Sequence, residues 1–161
     1  AFLFADYEKI HAPFSIDITT GDKITPKEIN YSFKRIFDKD VIEIYSYPIE
    51  TVIAEKLETI LSRNIENTRP RDFYDILALM PLTHNCNSEI LREALFNTSK
   101  RRSSEKYLKN TKVLVETIKV DTFMNSLWQK YAKKQPYAEN ITFEKVCSTV
   151  ENLLDKIGLL N

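Results

Sequence analysis

The first part of the chain has the residue pattern of β-strands. Apolar and polar residues alternate over 14–18, as they do in a half-buried strand. In such a strand, Asp17 points away from its apolar neighbours. The apolar run over 1–5 and the β-branched residues within 41–45 predict two further strands. These patterns together predict a small β-sheet at the start of the chain.

The stretch 46–79 predicts two short helices joined by a polar turn. Apolar residues recur at three- and four-residue spacing along the first helix, which gives it one apolar stripe. Lys56 and Arg63 lie on the same side as this stripe. The second helix begins with two acids, Asp72 and Asp75, which lie within one helical turn of each other.

The remainder of the chain predicts a helical bundle. Helices are expected over about 89–97, 104–120, 121–135 and 142–157, with Ser88 and Ser104 as candidate caps. The whole pattern predicts an α+β fold, divided into a sheet over 1–47 and a helical domain over 48–161.

Composition excludes several classes of protein. Lys+Arg and Asp+Glu both number 23, so the formal net charge is zero and does not indicate a strongly basic nucleic-acid binder. Two glycines are too few for a Gly-rich phosphate loop, and two histidines make a histidine metal site unexpected. The apolar runs are too short for a membrane span. Cys86 and Cys147 form no CxxC pair, which favours free thiols and a cytoplasmic location.

The order of residues over 16–75 resembles a known family. The segments 48–57 (PIETVIAEKL) and 71–75 (RDFYD) are similar to motifs of the AbiEii/AbiGii toxin family, a branch of the nucleotidyltransferase superfamily. The segment 16–22 (IDITTGD) is similar to the family's strand-borne Asp and Gly-Asp. The resemblance covers about residues 1–80.

This resemblance implies a function. A family member transfers a nucleotide from an NTP to an acceptor hydroxyl with the help of Mg²⁺. Activity in the family is tied to GTP binding and to tRNA modification. The toxin is paired with a separate antitoxin in bacterial toxin–antitoxin or abortive-infection systems that give phage resistance. The sheet over 1–47 would then be a remnant of the nucleotidyltransferase sheet.

The resemblance also assigns roles to individual residues. Asp17 would be a metal ligand, because Mg²⁺ prefers carboxylate oxygens. Lys56 would contact the triphosphate, and Asp72 would orient Lys56 or a substrate group. The implied catalytic residues are therefore Asp17, Lys56 and Asp72. The implied nucleotide-binding residues are Lys56, Arg63, Arg69 and Arg71.

The sequence departs from the family in one respect. No Gly-Ser followed by Asp-x-Asp occurs in it, and Asp38-Lys39-Asp40 has the spacing without the Gly-Ser turn. We therefore expect the chain to be part of a longer protein, and to be incomplete as a catalyst without the missing metal ligands.

A second class of function stays open. Asp17, Lys56 and Asp72 are also compatible with structural salt bridges in a non-catalytic helical binding module. Convergence of the three residues in an open cleft would favour the enzyme. A Lys56 amine buried against one acid, with no cleft beside it, would favour the module. The basic run 100–102 is either solvated or in contact with an RNA acceptor.

Overall fold

A computed structural model of the chain describes residues 1–160. Four strands come first: β1 Phe2–Tyr7, β2 Ile10–Ser15, β3 Ile29–Lys34 and β4 Val41–Ser46. The α-helices of the described residues are α1 Ile49–Arg63, α2 Pro70–Leu79, α3 Ser88–Arg101, α4 Thr111–Val120, α5 Thr122–Lys134 and α6 Phe143–Lys156. Short 3₁₀ helices cover Asn64–Glu66, Met80–Asn85 and Glu105–Lys109. The α+β class is confirmed, whereas the division into two domains at residue 47 stays a prediction.

The strands form two separate antiparallel hairpins. β1 pairs with β2 and β3 pairs with β4, with Phe2 opposite Ser15 and Ile29 opposite Ser46. Nearly every residue of the four strands is exposed, including apolar residues on both faces. Because a two-stranded hairpin is marginal by itself, the stable centre of the described chain must lie in the helices.

One strand prediction was wrong, and one strand was not predicted. The strand expected over 14–18 ends at Ser15, because the register pairs Ser15 with the first residue of β1. Asp17 therefore lies in the connection between β2 and β3 and not on a strand. Strand β3 was missed, although its sequence INYSFK alternates apolar and polar residues.

The hydrophobic core lies within the helical part. It is centred on α1, whose Ile53, Leu57 and Ile60 are fully buried. Helices α2 and α3 pack against α1, and α6 packs against α2 and α4. Trp128 of α5 is also buried, and its Nε1 donates to the carbonyl of Ile141 at 2.8 Å. Not one of the described helices is long and apolar enough to cross a membrane.

Two helix boundaries differ from the sequence prediction. The helix expected over 104–120 is divided into a 3₁₀ helix and α4. Ser104 does not cap it, because its hydroxyl donates to Glu58 of α1. The cap of α3 is Asn87, whose side chain accepts hydrogen bonds from the amides of Glu89 and Ile90, and not Ser88.

The connection between β2 and β3 is fixed to the helices by hydrogen bonds, two of which are buried. The hydroxyl of Thr51 accepts from the amide of Thr25 and donates to its carbonyl, both at 2.9 Å. Asn97 of α3 donates to the Thr25 hydroxyl, and Arg101 donates to the carbonyl of Gly21. Gly21 has a φ of +80°, and a Cβ there would lie 3.0 Å from the guanidinium of Arg101. This connection therefore has one defined position on α1 and α3.

Candidate functional site

Lys56 of α1 is held between two acids of α2. Its Nζ lies 2.8 Å from Asp72 Oδ1 and 2.7 Å from Asp75 Oδ2. The acids reach the amine together because three-residue spacing places them on one side of α2. The side chain of Asp72 is 1% exposed, whereas that of Lys56 is 24% exposed. The cluster therefore runs from the edge of the core to the surface.

Two arginines extend this ionic cluster. Arg69 Nε lies 3.1 Å from Asp72 Oδ2, and Arg71 Nε lies 3.7 Å from Asp75 Oδ1. With Lys56, three cations face two carboxylates, which leaves one positive charge. The Arg69 contact is an ion pair without hydrogen-bond alignment, so Asp72 Oδ2 accepts no hydrogen bond from the described residues. A buried acceptor is thus left beside the lysine.

The protonation of Lys56 follows from its surroundings. Partial burial lowers the pKa of its ammonium group, but the hydrogen bonds that it donates to Asp72 and Asp75, together with the attraction of their charges, raise the pKa by more. The net pKa lies above the ordinary value of 10.5. Lys56 is consequently a cation at every physiological pH.

An open cavity of about 590 Å³ lies beside Lys56. This volume is within the range of small-molecule sites. Residues from α1, the start of α2 and the turn after α3 line it: Glu55, Lys56, Glu58, Thr59, Ser62, Arg63, Arg69, Asp72, Arg102, Ser103, Ser104, Lys106 and Tyr107. Five cations and three carboxylates give the lining a formal charge of +2, so the cavity favours anions.

The turn after α3 forms the second wall of the cavity and is joined to α1 through Glu58. Arg102 Nη1 donates to Glu58 Oε2 at 2.5 Å, and Ser104 Oγ donates to Glu58 Oε1 at 2.8 Å. The Glu58 side chain is 4% exposed. Ser103 has a left-handed φ of 54°, which turns the chain back at the end of α3. Glu58 therefore fixes both the turn and the position of the Arg102 guanidinium.

Glu55 adds a titratable group to the α1 wall of the cavity. Its Oε1 lies 3.8 Å from Arg102 Nη2, too far for a hydrogen bond. Burial raises the pKa of the Glu55 carboxyl, and the attraction of Arg102 offsets only part of this effect. The pKa of Glu55 therefore lies above its ordinary value.

The residues predicted from the sequence do not all meet. Lys56, Asp72, Arg63 and Arg69 line the cavity. Arg71 is 75% exposed and lies outside the lining, although it reaches the cluster through Asp75. Asp17 is exposed and does not line the cavity. Lys56 and Asp72 thus converge in an open cleft, and Asp17 does not join them.

The second wall was missed by sequence reasoning. The sequence shows the basic run 100–102, but it predicts only a solvated loop or an RNA contact there. Glu58 could have indicated this wall, because it is a carboxylate beside Leu57 in the buried part of a predicted helix. A carboxylate in such a place needs a cation or hydrogen-bond donors as partners. Nothing in the local sequence indicated that Arg102 supplies them from 44 residues away.

These features define an α+β protein whose helical part carries a cleft of net positive charge with a lysine held by two aspartates. Comparison with protein families agrees with this class. The model of the family described as nucleotidyl transferase AbiEii toxin, type IV toxin–antitoxin system, matches residues 3–155. The chain therefore belongs to the AbiEii family.

The family match also extends the resemblance seen in the sequence. That resemblance reached about residue 80, whereas the match includes the helices that follow. Membership implies a nucleotidyltransferase toxin and a cognate antitoxin as its partner. No curated protein and no solved structure matches the chain significantly.

Proposed function

We propose that the cleft beside Lys56 binds the triphosphate of an NTP, with GTP as the first candidate, for transfer to a tRNA hydroxyl. In this reaction the acceptor oxygen forms a bond to the α-phosphorus, and the bond from that phosphorus to the bridging oxygen of the β-phosphate breaks. The nucleotide becomes attached to the acceptor, pyrophosphate leaves, and the acceptor hydroxyl loses its proton. The cytoplasm, expected from the sequence, stays the predicted location.

The observation that carries this proposal is the lysine–aspartate pair at an anion-favouring cavity. Asp72 and Asp75 restrict the Lys56 amine to one position, so it can contact a phosphate oxygen without a large loss of side-chain freedom. Arg63 and Arg69 add planar guanidinium donors to the same cavity, which suit phosphate oxygens. Asp72 acts on Lys56 and is a positioning residue in this scheme.

Magnesium is part of the proposal, although residues 1–160 do not supply a site for it by themselves. Residues 1–160 contain no group of three His, Cys, Asp or Glu side chains that could hold a metal ion. Asp17 would be at most one ligand, and it lies in an exposed connection.

A binding module without catalysis is the second candidate. Its support is that Lys56 already pairs with two carboxylates, which is also what a purely structural lysine would do. The nucleotidyltransferase should bind an NTP and transfer its nucleotide, whereas the binding module should do neither. Binding and transfer can be measured separately.

Binding and transfer are measured separately on the natural protein. Isothermal titration calorimetry measures the affinity for each NTP, with and without Mg²⁺. Transfer is followed with α-labelled NTPs and bacterial tRNA. The variant is Lys56→Met, and the matched control is Lys119→Met, because Lys119 pairs with Glu151 at 3.4 Å and does not line the cavity.

The expected result is label on tRNA from the wild type and from Lys119→Met, and none from Lys56→Met. Labelling that depends on added Mg²⁺ would support the proposal that the transfer requires magnesium. NTP binding without labelling of any RNA would refute the proposal that tRNA is the acceptor. Failure of the wild type to bind any NTP would refute the proposal and favour the binding module.

A further inference from the structure

The second wall of the cavity carries an aromatic ring that the phosphate chemistry does not use. Tyr107 lies on the 3₁₀ helix Glu105–Lys109, and it is the one aromatic residue of the described cavity lining. Its side chain is half-buried and packs against the edge of the core. The ring therefore offers apolar surface to the cavity from a supported position.

The position of this ring is fixed by the same contacts that fix the wall. The amide of Tyr107 donates to the carbonyl of Ser104 at 3.0 Å, and Ser104 is held by buried Glu58. The next residue, Leu108, is 7% exposed and anchors the 3₁₀ helix in the core. Little conformational freedom remains to be lost when a flat ligand contacts the ring.

Among residues 1–160, Lys106 is the one charged group that lies over this ring. Its Nζ lies 4.9 Å from the centre of the Tyr107 ring. Within residues 1–160 Lys106 forms no ion pair, whereas Lys56, Arg69 and Arg102 each face a carboxylate. A cation–π contact at an exposed site is weak, so a phosphate group can compete for this ammonium.

The cavity thus has two kinds of surface. The α1 and α2 wall carries Lys56, Arg63 and Arg69, and the other wall carries Tyr107 with Lys106. A nucleotide has the matching division into an anionic phosphate chain and a flat base. A free phosphate or an acidic peptide would use the cations but not the ring.

We propose that Tyr107 is the stacking surface for the base of the bound nucleotide, and that Lys106 leaves the ring to pair with its phosphates. This inference rests on the proposed function and names the residue that separates a nucleotide from a bare polyphosphate. Stacking is tolerant of base identity, because every base has a π-face. Tyr107 therefore adds affinity for all four NTPs without selecting GTP.

The test compares NTPs with inorganic triphosphate, which has the charge but no base. Dissociation constants for GTP, ATP and triphosphate are measured on the chain and on Tyr107→Leu, Tyr107→Phe and Lys106→Met. Tyr107→Leu should raise the dissociation constants of GTP and ATP about tenfold. It should change the dissociation constant of triphosphate by less than about twofold. Tyr107→Phe keeps the ring and should bind like the wild type. Lys106→Met should weaken all three ligands similarly.

Different failures have different meanings. NTP affinity unchanged in Tyr107→Leu would overturn the stacking role while leaving the proposed function intact. An equal loss for NTPs and triphosphate in Tyr107→Leu, restored in Tyr107→Phe, would assign the ring to packing and also overturn it. A wild type that binds neither kind of ligand would overturn the proposed function and this inference with it.

Discussion

Lys56 and Asp72 lie 16 residues apart on two helices and are joined by a hydrogen bond of 2.8 Å. Asp72 is almost completely buried, and the amine of Lys56 is the one hydrogen-bond donor that its side chain has among the described residues. The pair therefore serves the packing of α1 against α2 as well as the cleft. Any experiment that changes Lys56 changes both.

We expect Lys56→Met to lower the free energy of unfolding by about 2–4 kcal/mol, because it leaves Asp72 buried and charged. This range is below that of a fully buried pair, since Lys56 is 24% exposed. Asp72→Asn should cost about 1–2 kcal/mol. The double variant should cost less than the sum by about 1–2 kcal/mol. Urea unfolding followed by circular dichroism measures all three.

Additive costs in this cycle would show that the two side chains do not interact in solution. The double variant also serves as a control for activity. Its stability should be about that of Lys56→Met, but it leaves no unpaired buried carboxylate, and it still lacks the cation. Transfer activity should therefore stay absent in it if Lys56 contacts the nucleotide.

We expect Thr51→Val to lower the free energy of unfolding by about 2–3 kcal/mol, because it removes both hydrogen bonds to the buried main chain of Thr25. The side-chain volume hardly changes, so packing is kept. Thr149→Val is the matched control. Its hydroxyl only donates to the carbonyl of Lys145 within α6, so its removal should cost about 0.5 kcal/mol or less.

The amide of Thr25 gives a local measure of the same effect. Its hydrogen exchange should become faster in Thr51→Val, because the donor loses its acceptor. Equal stability of the two threonine variants, with unchanged exchange at Thr25, would refute the view that Thr51 fixes the connection between β2 and β3.

The helix containing Lys56 and the acids after it could be predicted from the sequence for a local reason. The apolar stripe of α1 has helical spacing, and Asp72 and Asp75 lie within one turn of the next helix. A short polar connection brings such neighbouring helices together. The position of Lys56 opposite the acids thus follows from contacts over short separations.

The second wall could not be predicted in this way. Arg102 contacts Glu58 across 44 residues, and Arg101 contacts Gly21 across 80. Such pairings depend on how α3 packs on α1, which residue spacing alone does not specify. The role of Tyr107 could not be predicted either, because an aromatic residue near the start of a helix has the pattern of an ordinary core residue.

Glu58 and Glu55 allow a direct comparison of a buried and a more exposed contact with Arg102. We expect Glu58→Gln to lower the free energy of unfolding by about 1–3 kcal/mol, because the amide cannot accept from both Arg102 and Ser104 with a full negative charge. Glu55→Gln should cost about 0.5 kcal/mol or less, since its contact with Arg102 is 3.8 Å long. Urea unfolding of both variants checks this. Equal costs would mean that Glu58 does not fix the turn.

Glu55 should make anion binding depend on pH. Burial raises the pKa of its carboxyl above the ordinary value of 4.5, so Glu55 gains a proton earlier than a free glutamate as the pH falls. The charge of the cavity lining then changes from +2 to +3, and affinity for anions should rise.

At about pH 7.5, Glu55→Gln should bind inorganic triphosphate about three- to tenfold more tightly than the wild type, for a charge effect of about 1 kcal/mol. The ratio of the two dissociation constants should approach one at acid pH, and protonation of the ligand cancels in this ratio. Glu151→Gln, which lies outside the cavity lining, should give a ratio near one throughout. A Glu55→Gln ratio that stays constant across the pH range would show that Glu55 does not titrate beside the bound anion.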